Sequence, residues 1–82
     1  MSHEDKISKL VEKMRRSMKD VRFADLVKVL EAIGYTCIKR NGGSHNTFRK
    51  KNSLLIITIP KVNPVNPTYV RIVLEAYDIS QS

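Results

Sequence analysis

The sequence predicts a small α+β domain in which helices cover one face of a three-stranded antiparallel sheet. Three features carry that reading. Two amphipathic stretches with helical spacing precede Gly34, three β-rich runs separated by short polar turns follow it, and an Asn-Pro signal opens a last helical stripe. With 82 residues, the chain has room for one domain and one small core.

The first helix is expected over Glu4 to Met18. Ile7, Leu10, Val11, Met14 and Met18 mark one helical face, while Lys6, Lys9, Lys13, Arg15 and Arg16 occupy the rest. Such a helix docks its stripe on the domain and solvates its charges. A second helix is expected from Val21–Phe23 to Ile33, with Phe23, Leu26, Val27, Leu30 and Ile33 inward. Asp25 favours its first turn through the helix dipole, and Gly34 supplies a left-handed stop. Asp20 and Arg22 compete for its cap.

Tyr35 to Arg40 reads as a strand running into the turn Asn41-Gly42-Gly43. A second strand covers His45 to Lys51, and Asn52-Ser53 makes the next tight turn. Leu54 to Ile59 is a third strand stopped by Pro60. Such short turns require an antiparallel meander. Asn66 then caps a helix opening at Pro67 and running to about Tyr77, with Val70, Val73, Leu74 and Tyr77 inward. The last five elements, α-β-β-β-α, have the order of a double-stranded-RNA-binding domain. Preceded by the first helix, they make a two-layer sandwich whose second sheet face is open to a ligand.

Composition narrows the function. Fifteen Lys+Arg against eight Asp+Glu give a formal charge of +7, which favours a polyanionic partner, nucleic acid or an acidic protein. So small a core excludes a deep substrate cavity, so any active site is shallow. Cys37, the only cysteine, cannot form an internal disulfide and reads as an apolar filler in a reducing compartment. No apolar run is long enough to span a bilayer, and the N-terminus has no apolar signal core, so a soluble cytoplasmic protein is expected. His3 is expected in a mobile tail. No metal site or cofactor is expected, because Cys37 and His45 are only two ligands.

Alternation along strand two separates His45 from Phe48. Phe48, the only large apolar residue of that strand, belongs to the core, so His45, Thr47 and Arg49 share the open face. In strand three the same rule assigns Leu55, Ile57 and Ile59 to the core and Thr58 outward. A solvated imidazole both takes and gives a proton near neutral pH. The neighbouring glycine-rich turn exposes backbone N–H groups to a phosphate. Lys39, Arg40 and Arg49 are near enough in sequence to hold adjacent phosphates. A base for the 2′-hydroxyl, donors for phosphate oxygens and cations for developing charge are the components of RNA cleavage. The same face also suits passive RNA binding, or docking of an acidic partner protein. Ser44 is a weaker candidate nucleophile, since no carboxylate near in sequence completes a triad. Arg71 is assigned to a salt bridge with Glu75 at i+4.

The pattern Leu26…Leu30…Gly34-Tyr35, Lys39-Arg40, then Gly43-Ser44-His45-x-x-Phe48-Arg49 resembles the HicA family of bacterial toxins. Ile57-Thr58-Ile59-Pro60 and the closing helix with Pro67, Val70, Arg71 and Leu74 extend the resemblance over Val21 to Ile79. It divides the chain into an N-terminal helical extension, residues 1–20, and a toxin-like domain, residues 21–82. The resemblance implies a toxin of a type II toxin–antitoxin system: a metal-independent mRNA interferase of the double-stranded-RNA-binding-like fold, with His45 as its essential histidine. Gly43 and Ser44 would then position phosphate, with Lys39, Arg40 and Arg49 on the RNA backbone. It further implies a HicB-type antitoxin that covers the site. Two positions depart from the family pattern. The turn holds one glycine more than the commonest spacing, and Lys61-Val62 follows Pro60 where many members carry a second histidine.

Overall fold

The computed structural model describes residues 3–41 and 45–82, with side chains over 5–38 and 45–82. The chain folds in the order α1 (His3–Arg16), α2 (Phe23–Ala32), β1 (Tyr35–Asn41), β2 (His45–Lys50), β3 (Ile56–Pro60) and α3 (Pro67–Ser80). The strands form one antiparallel sheet in the order β1-β2-β3, which puts the histidine-bearing strand in the centre. The predicted helices on one face of a three-stranded sheet are what the chain builds.

Local signals explain most boundaries. The Asn66 side chain accepts from the Thr68 N–H at 2.9 Å, and Pro67 enters the first turn of α3 without a wasted donor. Gly34 stops α2 with φ at 100°, a conformation that costs glycine little. Asn52 takes φ of 66° in the turn closed by Ser53 N–H to Lys50 O.

One core joins all the layers. Leu26, Val29 and Leu30 of α2 and Val70, Val73 and Leu74 of α3 meet Phe48, Ile57 and Ile59 of the sheet. Ile7, Val11 and Met14 of α1 belong to the same cluster, with Leu10 and Met18 packed at its margin. The first helix therefore packs on α2 and α3 as its stripe predicts. It ends at Arg16, short of the expected Met18, and it includes His3, which was expected in a loose tail. The Arg15 guanidinium is ion-paired with Asp78 of α3.

Several expectations are corrected by packing. Leu54 and Leu55 lie outside strand three and are exposed, so Leu55 is not a core residue. The Leu55 N–H donates to Ser53 Oγ instead of joining the ladder, and pairing with β2 begins only at Ile56, opposite Arg49. Val29, omitted from the predicted α2 stripe, is fully buried because α2 has α1 and α3 beside it as well as β1. The last helix continues three residues past Tyr77. Arg71 and Glu75 are both exposed, and no ion pair joins them.

The start of α2 is fixed from a distance. Arg22 caps it with no side-chain bond, while the Phe23 N–H donates to Asn63 Oδ1 at 2.7 Å. The Val65 N–H donates to Val21 O at 2.8 Å beside it. These two bonds hold the loop after β3 against α2.

Candidate nucleic-acid interface and catalytic histidine

The +7 charge is not spread over the chain. Between Ile33 and Leu74 the sequence holds seven of the fifteen basic residues and none of the eight acidic ones. The remaining eight basic and eight acidic residues cancel, so the entire excess belongs to the segment that runs from the end of α2 through the sheet to the middle of α3. A basic segment of this kind attracts polyanions and acidic surfaces and repels basic ones.

Within that segment β2 sorts its side chains as its alternation predicts. Asn46 and Phe48 are buried against the helices, whereas His45 and Arg49 are exposed on the other face with the half-buried Thr47 between them. His45 sits at the end of the central strand, opposite Asn41 of β1 and Pro60 of β3. Thr47 faces Thr58, and their hydroxyl oxygens are 3.1 Å apart in a hydrogen bond that ties β2 to β3 on this face. The Thr36 hydroxyl donates to Arg49 O at 3.4 Å. Along β2, His45 and Arg49 are four positions apart, about 13 Å at the usual strand rise. That span suits successive positions on an extended polyanion.

A β-bulge brings β1 into register with this row. Pairing shifts between Cys37 and Lys39, leaving Ile38 as an extra residue. Cys37 pairs with Phe48, but after the bulge Lys39 pairs with Thr47, Arg40 with Asn46 and Asn41 with His45. Unbulged, Lys39 would oppose Asn46 instead. The side chains of Lys39 and Arg40 lie outside the described residues, as do Gly43 and Ser44 entirely. Of the predicted site residues, the described structure therefore brings His45 and Arg49 to one face.

Two polar residues near this end of the sheet were given no site role by the sequence reading. Asn46 is one of them, although the alternation that freed His45 also sends Asn46 inward beside Phe48. Lys61 is the other: it directly follows the Pro60 that pairs with His45, a proximity visible only once register is known. Cys37 is half-buried and packs against the core. No three His, Cys, Asp or Glu side chains cluster with metal-holding geometry among the described residues. None of the described helices is long and apolar enough to cross a membrane.

Comparison with known proteins gives one finding. The family model described as the HicA toxin of bacterial toxin-antitoxin matches residues 23–79, from the first residue of α2 almost to the end of α3. Neither the curated proteins nor the solved structures include a significant match to the chain. The matched span contains the whole sheet, α2, nearly all of α3 and the acid-free basic segment, and on that basis the chain belongs to the HicA toxin family, whose members act with an antitoxin partner.

Proposed function

We propose that this chain is an endoribonuclease toxin that cleaves mRNA on the open face of its sheet, with His45 as the group that moves the proton. The observation that supports it most is the position of His45, exposed at the end of the central strand in a segment with no acidic residue. The imidazole takes the proton of a ribose 2′-hydroxyl, whose oxygen attacks the adjacent phosphorus. The bond to the 5′-oxygen breaks, leaving a 2′,3′-cyclic phosphate and a 5′-hydroxyl that takes a proton from water or a nearby lysine. Arg49, Lys39 and Arg40 bind neighbouring phosphates, and Gly43 and Ser44 present donors to the phosphate oxygens. No carboxylate is needed, and none in this segment opposes approach of the polyanion.

In this reading a HicB-type antitoxin silences the toxin by covering the open face, and the pair works in the cytoplasm on messenger RNA. Residues 1–20 serve as an extension that braces α2 and α3 from outside the matched domain. Induced expression of wild type and His45→Ala, scored by growth arrest and RNA integrity, tests the proposal. Arrest and RNA loss are expected with wild type alone. Equal RNA loss with both proteins would sink it, and salt-dependent RNA binding without any product would mark a passive binding module.

A further inference from the structure

The helix-facing side of the sheet carries one buried polar residue among those described, with the half-buried Lys50 at its far end. Asn46 is 7% exposed and is the buried polar residue of the described core. No hydrogen bond among the described residues takes up its side-chain amide. Yet no polar side-chain atom among them is sealed from solvent without a partner, so the amide faces the opening that remains. That opening is a cleft of about 220 Å³ between α2 and the sheet, lined by Phe23, Val27, Glu31, Asn46, Phe48 and Lys61. The cleft therefore presents a solvent-accessible primary amide at its wall, with the Glu31 carboxylate and the Lys61 ammonium on its lining.

We propose that this cleft receives an adenine or cytosine base of the bound RNA, and that Asn46 and Glu31 read its edge. The inference rests on the RNA-cleaving reading and deepens it by naming a base-recognition site. The half-buried Val27 and the remaining exposed surface of Phe23 line it with apolar groups, the environment in which proteins hold unstacked RNA bases. A primary amide offers an acceptor and a donor side by side, matching the amino group and adjacent ring nitrogen of adenine or cytosine. The Glu31 carboxylate only accepts, so it favours an amino group and disfavours uracil, whose single N–H lies between two carbonyl oxygens. The volume is below the roughly 300–1,000 Å³ of drug-sized sites, which suits a single base. An apolar anchor residue from a protein partner would leave the amide as unpaired as before.

The position also fits the proposed chemistry. Asn46 follows His45 directly and points to the opposite face, and Lys61 follows the Pro60 that pairs with His45. The cleft thus opens at the same end of the sheet as the proposed catalytic group. A nucleotide next to the one cleaved can enter it, with the Lys61 ammonium available to its phosphate.

The test uses the full chain carrying His45→Ala, so that bound RNA stays intact, and fluorescence anisotropy with the hexamers rA6, rC6 and rU6. Either rA6 or rC6 is expected to bind at least about fivefold tighter than rU6, the lower end of what one well-placed base contact supplies. Adding Asn46→Ser should erase that difference, and Glu31→Gln, an exposed helix substitution that leaves the fold intact, should reduce it. Equal binding of the three hexamers overturns the cleft proposal alone, as does a preference that survives both substitutions. Binding of none of them overturns the RNA reading with it.

Discussion

The two faces of β2 are built from adjacent residues and do opposite work. Asn46 and Phe48 look toward the helices and are buried, while His45 and Arg49 look away and are exposed. The strand period of two makes the partition, since a shift of one residue would exchange the faces. Phe48 holds the strand in phase by filling the core with Ile57, Ile59 and Leu26. His45 can therefore be exposed and polar at no expense to packing. Stability and activity should separate cleanly along this one strand.

The strongest way to break that separation is at the buried face. Phe48→Ala should cost about 3–5 kcal/mol of unfolding free energy in urea titration, because it empties the centre of a small core. If it cost almost nothing, the strand phase described here would be wrong. On the open face, a substrate with a single 2′-deoxy nucleotide at the cut site should resist cleavage there while neighbouring sites are cut normally, because DNA lacks the internal nucleophile. Cleavage through the deoxy position would replace the proposed chemistry with another.

A smaller effect is expected at Arg49. Its replacement by alanine should weaken single-stranded RNA binding and flatten the slope of log affinity against log salt by about 0.7, the share of one phosphate contact. Melting temperature should not move. Smallest of all, Asn63→Ala removes the acceptor of the Phe23 N–H and should destabilise α2 by about 1 kcal/mol. A null result in chemical denaturation would mean that another group caps the helix.

How much of this was legible in the sequence depends on the range of the interaction. The Asn66-Pro67 cap, the Gly34 stop and the phase of β2 rest on residues a few positions apart, and each is found as predicted. The α2 cap is different: Asn63 lies forty residues from Phe23, and no local pattern joins them. The bulge at Ile38 was equally hidden, because "TCIKR" carries no glycine to announce it, yet it sets which residue of β1 opposes Thr47. Leu54 and Leu55 misled for a related reason. Their apolar β-propensity promised a strand, but β2 ends at Lys50 and the turn leaves them no ladder to join. Asn46 was within reach of the alternation rule, though the cleft beside it needs α2 and the loop after β3 to exist.

The most direct measurement compares His45→Ala with wild type in one preparation, reading RNA cleavage and melting temperature together. Loss of cleavage by on the order of 10²–10⁴-fold at an unchanged melting temperature is the expected result for a solvent-exposed proton-transfer group. Undiminished cleavage by His45→Ala would contradict the assignment of the open face as the catalytic one, and loss of cleavage together with loss of the fold would contradict the separation of the two faces.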